Sequence, residues 1–295
     1  MSRAFKPLEM ADRDVFTRCF REDQPNGSEM TFTNLFMWRH RYRPFWCERE
    51  GCLLVVCRPE GLPPFALQPA GRGDKRAALQ ILCEELSERT SDIRIRRVEE
   101  RFVTEHVDPT RFEAVYDPDN SDYVYRTADL IRLSGRKYHR KRNHLNRFCR
   151  QFELRYRPLD LELVECFLDM QDSWCRMREC AENPDLLSED HAVREALTQF
   201  EQLGLLGGAI QIEGKLEAFS LGEPLNQNTA VVHVEKANPD IPGLYAAINQ
   251  QFCENALSGT AYVNREQDLG DPGLRKAKES YYPHHMVKKY SLVPL

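Results

Sequence analysis

The chain has 295 residues and a mass of 34.4 kDa, about two average domains, because single cores stop growing near this size. Hydrophobic residues make up 41% and charged residues 29%, with 15 Gly and 17 Pro, which excludes disorder, collagen-like repeats and coiled-coil composition. The formal net charge of -5 hides a segregation that matters more than the total, because local fields decide which ligands a surface attracts.

The start, Met1-Ser-Arg-Ala-Phe-Lys-Pro, leads into the charged stretch Glu9 to Asp14, not an apolar signal core. No run reaches the roughly 18 to 20 apolar residues of a membrane helix. The expectation is a cytoplasmic chain without a transmembrane segment. Glu9 to Phe20 and Thr31 to His40 have the apolar spacing of helices. Arg43 to Cys57 reads as a hairpin turning at Glu50-Gly51, with Cys52-Leu-Leu-Val-Val-Cys57 as its buried strand. Asp74 to Arg89 is an amphipathic helix and Asp92 to Val98 a strand. The turn formers of Tyr116-Asp-Pro-Asp-Asn-Ser-Asp122 mark a boundary between a first domain, residues 1–121, and a second, residues 122–295.

The second half opens with an extended run, Tyr123 to Leu133, and Ser134-Gly135 starts a basic helix, Arg136 to Phe152. Its apolar stripe is Tyr138, Leu145, Phe148, Cys149 and Phe152, which leaves Lys137, Arg140, Lys141, His144, Arg147 and Arg150 on other faces. From Arg132 to Arg157 ten Lys or Arg residues face one acid, Glu153. From Leu159 to Gly204 the balance reverses, with acids such as Asp172, Glu179 and Glu182 against only Arg176, Arg178 and Arg194. Leu206 to Ile212, Lys215 to Gly222 and Thr229 to Lys236 form a three-stranded meander. Asp240 then N-caps a helix running to Leu257 with Pro242 in its first turn. A strand (Ala261 to Glu266), a helix (Pro272 to Ser280) and a strand (Met286 to Leu292) complete an α+β order.

The ten cysteines are scattered, and no two form a C-x-x-C pair, so they read as reduced thiols and not as a disulfide or metal framework. Period two puts His233 and Glu235 on one face of a strand. There a carboxylate favours and orients a protonated ring, and the pair is a candidate proton acceptor; a satisfied, half-buried pair fits the same pattern. Asn264 and Glu266 share a face of the next strand, with Arg265 and Asp268 clustered where it ends, a common place for ligand sites. Arg275 and Lys276 precede Tyr281 and Tyr282, phenols that are neutral at pH 7 and plausible proton donors to a leaving group; packing against the sheet is the other reading. His284 and His285, as neighbours, point in different directions and make a poor metal pair. Arg136, Lys137, Lys141 and Arg142 can engage phosphates beside the N–H groups of the Ser134-Gly135 start, unless that face is merely solvated or neutralised by the acidic helices. No helix-turn-helix or zinc-finger spacing occurs, so sequence-specific DNA reading is not expected.

Three blocks carry a family resemblance: Gly135-Arg-Lys-Tyr-His-Arg-Lys-Arg-Asn-His-Leu-Asn146, His233-Val-Glu-Lys-Ala237, and Tyr262-Val-Asn-Arg-Glu-Gln-Asp-Leu-Gly-Asp-Pro-Gly-Leu-Arg-Lys-Ala-Lys-Glu-Ser-Tyr281. Together they resemble a bacterial family related to the C-terminal domain of phosphatidylglycerol lysyltransferase, over essentially the whole chain. The resemblance implies two tandem acyltransferase domains of the GNAT type, each a mixed, mostly antiparallel sheet flanked by helices, as in Fem-type peptidyltransferases. It further implies an aminoacyl-tRNA donor, hence tRNA as a partner, and no required cofactor. The acceptor, an amine or hydroxyl on a small molecule, peptide or lipid, stays open. Lys236, Gly243 and the cations already named would line the donor site, and His233, Glu235, Asn264, Tyr281 and Tyr282 the reacting centre. Acetyl-CoA is the lesser donor: its pyrophosphate loop is usually Gln/Arg-x-x-Gly-x-Gly/Ala, whereas Asp240-Ile-Pro-Gly243-Leu-Tyr245 stands here. A non-catalytic scaffold that binds tRNA or another polyanion is the alternative from another class.

Overall fold

The apolar run Cys52–Cys57 is buried at every position in a computed structural model, which describes residues 4–177 and 183–295 and leaves undescribed the side chains of residues 172–177. Met1 to Arg3, Arg178, Glu179 and Glu182, with the side chains of Asp172 and Arg176, therefore lie outside the described residues. In chain order the first elements are β1 (Lys6–Pro7), α1 (Arg13–Asp23), α2 (Phe32–Met37), α3 (Arg39–Tyr42), β2 (Pro44–Arg49), β3 (Cys52–Cys57), β4 (Phe65–Ala66), β5 (Ala70–Gly71), α4 (Lys75–Ser87), β6 (Ile95–Glu99), α5 (Glu100–His106) and β7 (Phe112–Arg126). They are followed by α6 (Thr127–Arg132), α7 (His139–Gln151), β8 (Leu154–Pro158), α8 (Leu161–Met177), α9 (Pro184–Thr198), α10 (Phe200–Leu203), β9 (Leu206–Ile212), β10 (Lys215–Pro224), β11 (Thr229–Ala237), α11 (Leu244–Asn255), β12 (Tyr262–Asn264), α12 (Pro272–Glu279) and β13 (His285–Pro294).

Backbone contacts divide the chain into two units. The first comprises Met1–Asp122, Gln267–Asp271 and Met286–Leu295, and the second Tyr123–Glu266 and Pro272–His285. The last strand, placed with the second half from sequence, thus packs in unit one. There the strand order is β1-β2-β3-β4-β6-β13, with β5 also on β3. Asp74 caps α4 by accepting from the backbone N–H groups of Arg76 and Ala77 at 2.9 and 3.1 Å. The helix lays Ala78, Leu79, Leu82 and Leu86 against Leu54, Val56, Ile95 and Val98, and Leu292 of β13 joins the same core. Beside this core lies a buried ionic cluster. Lys289 Nζ reaches Glu29 Oε2 at 2.5 Å and Asp122 Oδ1 at 2.6 Å, while Asp122 Oδ2 accepts from the Ser28 N–H at 2.8 Å. Burial works against the ammonium charge, but the two carboxylates outweigh it and the Lys289 pKa is raised.

Unit two holds a mixed sheet in the order β7-β12-β11-β10-β9-β8, with β11 and β12 parallel and the other pairs antiparallel. The meander is present as β9-β10-β11, and α11 packs on it. β10 changes register between Leu221 and Gly222, a bulge that re-aims the residues beyond it.

Three expectations need correction. The turn-rich segment Tyr116 to Asp122 lies inside the 15-residue strand β7, because its turn chemistry is spent locally. Asp117 Oδ2 accepts from Asn120 Nδ2 at 2.9 Å, the Ser121 hydroxyl donates to the Asp117 carbonyl at 2.8 Å, and the strand continues. The extended run from Tyr123 ends at Arg126, where the chain enters α6. The helix expected at Asp240 begins at Leu244, because Asn238 Oδ1 accepts the Asp240 N–H at 3.0 Å in a turn that precedes it. The edge strand β8 was missed inside the basic run; its residues alternate Leu154, Arg155, Tyr156, Arg157, and charges suit an edge.

Candidate functional site

β12 delivers Arg265 and Glu266 into a tightly determined corner of unit two. Glu266 has φ +58°, a left-handed conformation that costs a non-glycine residue free energy and persists only when its surroundings fix it. Four contacts do so here. Asn264, fully buried, accepts the Glu266 N–H on Oδ1 at 2.7 Å; the Arg265 N–H donates to the Tyr123 carbonyl at 2.9 Å. Lys278 of α12, itself buried, donates to the carbonyls of Arg265 at 2.5 Å and Glu266 at 3.0 Å. His233 Nδ1 then holds the Glu266 carboxylate at 2.8 Å, and its Nε2 holds Glu223 at 3.0 Å.

The His233 side chain is 1% exposed. Burial opposes its charge, but the hydrogen bonds to Glu223 and Glu266 win and lift its pKa to about 9. At neutral pH the ring is an imidazolium with both N–H groups engaged, so it has no lone pair with which to accept a proton. The expected His233–Glu235 pairing gives way to a carboxylate–imidazolium–carboxylate clamp.

Glu235 instead faces Arg265 and α11. Arg265 Nη2 donates to Glu235 Oε1 at 2.8 Å, and Asn249 Nδ2 donates to Oε2 at 3.0 Å. Arg265 also stacks on the ring of Tyr281 at 4.7 Å, while Arg265 Nη1 and Asn249 Oδ1 are buried without a hydrogen-bond partner among the described residues. Burial pushes the Tyr281 phenol up to about 12, which keeps it a neutral proton donor at pH 7. Lys141, brought in by α7, places Nζ 3.4 Å from the Tyr281 ring centroid. The ring face favours an ammonium, but burial and then the charge of Arg265 lower the Lys141 pKa to about 8, against a counter-pull from Glu235.

The remaining candidates separate. Tyr282 is 47% exposed and packs edge-on against Tyr138 at 5.5 Å. Arg136 and Lys276 are exposed, and Arg275 is half-buried. Lys137 stands over Tyr138 and Tyr282, with Asp129 at 3.8 Å. Arg142, expected on phosphates, is spent on the carbonyls of Leu133 and Gly135, and Lys236 on Glu189. Asp268 lies in unit one, where it closes a turn by accepting the Gly270 N–H at 2.9 Å. Gly243, φ +95°, caps α11 with its backbone against α7: a Cβ there would meet Phe148 Cβ at 3.0 Å and the His144 carbonyl at 3.2 Å. This glycine lets the start of α11 pack closely on α7. His284 and His285 do not diverge, since their Nδ1 atoms lie 2.9 Å apart.

Glu223, Asn249 and Lys278 escaped the sequence reading. Asn249 carries a usable signal, a carboxamide among the apolar residues Ala246, Ala247, Ile248 and Phe252 of α11; Lys278 in a short cationic helix carries none. On α7, Tyr138 just before it, Leu145 and Phe148 are buried as expected, but Cys149 is exposed. Arg140, Arg147 and Arg150 are exposed, and Asn143, Asn146, Arg147, Arg150 and Gln151 line an open groove of about 560 Å³.

A family model described as phosphatidylglycerol lysyltransferase, C-terminal, matches residues 20–293. The chain belongs to this family. A conserved protein of Bacteroides thetaiotaomicron VPI-5482, described as of unknown function, is 34% identical with 99% of each chain covered and a TM-score of 0.91. L-PGS from Bacillus licheniformis is 14% identical, covering 99% of this chain and 94% of its own, with a TM-score of 0.67. At 10% identity, FemX and a tandem GNAT protein from the clavulanic acid pathway share the fold, with TM-scores of 0.52 and 0.51. The Mycoplasmoides gallisepticum protein MYCGA3080 is 27% identical over 177 residues, 58% of this chain and 55% of its own length. The fold is therefore α+β and GNAT-like, and the family is one of acyltransferases. Among the described residues no helix is long and apolar enough to cross a membrane.

Proposed function

We propose that the protein transfers an aminoacyl group from aminoacyl-tRNA to an amine or hydroxyl acceptor. The observation that carries this reading is that one helix serves both ends of the reaction. α7 presents Arg140, Arg147 and Arg150 to solvent and also carries Lys141 onto Tyr281. The exposed arginines and the carboxamides of the groove suit a sugar–phosphate backbone, and Arg136, Lys137 and Lys276 extend the cationic surface. The aminoacyl ester would reach the Arg265–Glu235–Tyr281 cluster. Arg265 supplies positive charge for the developing oxyanion, Glu235 and Asn249 orient Arg265, and the Tyr281 phenol protonates the leaving 3′-oxygen. His233 and Asn264 hold the Arg265–Glu266 corner and act through it.

The deciding experiment is binding of the purified protein to bulk tRNA, charged and uncharged, at two salt concentrations, beside a thermal-shift control with acetyl-CoA. Preference for charged tRNA supports aminoacyl transfer. Salt-sensitive binding that ignores the amino acid converts the reading to a polyanion-binding scaffold. Stabilisation by acetyl-CoA without tRNA binding replaces the donor.

A further inference from the structure

The cluster around Tyr281 leaves the reaction without an obvious group to take up the proton of the acceptor. His233 is charged and clamped, Glu235 is engaged on both oxygens, and Tyr281 is a neutral phenol. Lys141 differs from all three: it is half-buried, and among the described residues its ammonium group makes no ion pair or hydrogen bond. We propose that Lys141 is the proton-accepting amine of the site, held by α7 with Nζ over the Tyr281 ring so that it takes the proton an attacking amine or hydroxyl gives up.

The proposal rests on the transferase reading and adds the missing base to it. The groups that face Lys141 are Arg265 at the end of β12, Glu235 of β11 and Tyr281 after α12, with Lys137 one turn before it and His144 one turn after it near α7. Arg265 disfavours the ammonium, and the one carboxylate that favours it, Glu235, is already bound to Arg265. Burial, then Arg265, accordingly brings the amine to about 8, where a useful fraction is neutral at physiological pH.

The step balances. The acceptor N–H or O–H proton moves to neutral Lys141 Nζ as the acceptor atom bonds to the ester carbonyl carbon. The bond from that carbon to the 3′-oxygen breaks, and the oxygen takes the phenolic proton of Tyr281. Lys141 then returns its proton to the tyrosinate through solvent, which restores both groups. No oxidant, reductant or further reactant is needed. His233, through Glu266, is a positioning residue: it fixes the corner from which Arg265 occupies Glu235 and so keeps that carboxylate from pairing with Lys141.

Trace acetylation of the whole protein with acetic anhydride from pH 6 to 11, read residue by residue by peptide mass spectrometry, tests the amine without requiring any transfer. Lys141 should label with a midpoint near pH 8, well under the ordinary lysine value of about 10.4. A midpoint in the ordinary range, or no labelling up to pH 11, overturns the proposal. In transfer assays Lys141→Arg keeps the cation and the stem but cannot give up its proton, so the rate should fall about 100-fold or more while tRNA binding is retained. Transfer at the wild-type rate also overturns it. Absence of transfer in the wild type would sink the transferase reading, whereas the labelling midpoint would still decide the state of Lys141.

Discussion

Replacing His233 by alanine would leave the half-buried carboxylates of Glu223 and Glu266 facing each other without the cation between them. Removing one partner of a buried ionic set costs about 3–5 kcal/mol, and we expect a loss of that order in urea unfolding of His233→Ala. The ring also ties stability to pH. Its folded pKa, about 9, stands above the unfolded reference of about 6.5, so its contribution is complete below pH ~6.5 and is lost as pH rises toward 9. The shift corresponds to a contribution on the order of 3 kcal/mol. Unfolding measured at pH 6, 7.5 and 9 should show this decline in the wild type, and His233→Gln should lack it. An equal decline in both proteins would assign it to other groups. From sequence, His233 was paired with Glu235 and not with Glu223 and Glu266. The alternation of β11 named its face, whereas Glu223 arrives through the bulge at Gly222 and Glu266 through a left-handed turn, neither of which leaves a periodic signal.

α7 was the most legible element, because its apolar stripe and its cations are both written at helical spacing. What spacing could not tell is which cations are free. Arg142 turns back to cap the Leu133–Gly135 loop, and Lys141 folds inward onto an aromatic ring 140 positions away in sequence. The exposed pair Arg147 and Arg150 therefore carries the binding prediction. Arg147→Glu with Arg150→Glu should weaken tRNA binding and lower the salt slope by roughly 1.5, since each phosphate contact contributes about 0.7–0.9. Far-UV circular dichroism should stay unchanged, because both side chains are exposed. An unaltered slope would place the nucleic-acid surface elsewhere. The junction of α7 and α11 makes a separate prediction. Gly243→Ala puts a Cβ 3.0 Å from Phe148 Cβ at a positive φ, and about 1–3 kcal/mol of stability should be lost on both counts. A melting temperature equal to the wild type would show that α7 can give way at this point.

At the scale of the molecule, the order of helices and strands was largely readable, and the place of the last strand in unit one was not. Met286 to Leu292 has the pattern of a strand, but a period of two names a face and never a partner strand. Besides its pairing with β6 and Leu292 in the core, β13 joins unit one through Lys289, a residue that a sequence reading places at the surface. Lys289→Met should cost about 3–5 kcal/mol, because the buried carboxylates of Glu29 and Asp122 would lose the ammonium they share. Lys289→Met with Glu29→Gln and Asp122→Asn should recover part of the loss. Failure of the triple variant to exceed the single one in urea midpoint would mean that the strand is held by its apolar contacts alone.

The cluster at Lys289 has a consequence for the order in which the protein can be made. Asp122 precedes its ammonium partner by 167 residues and Glu29 by 260, so unit one cannot complete this cluster when its own first 122 residues leave the ribosome. All of unit two is synthesised in the interval. A nascent chain arrested before Met286 would have Arg97 at 3.6 Å from Glu29 but no ammonium for Asp122, and its early portion would stay open to proteases until the final strand emerges.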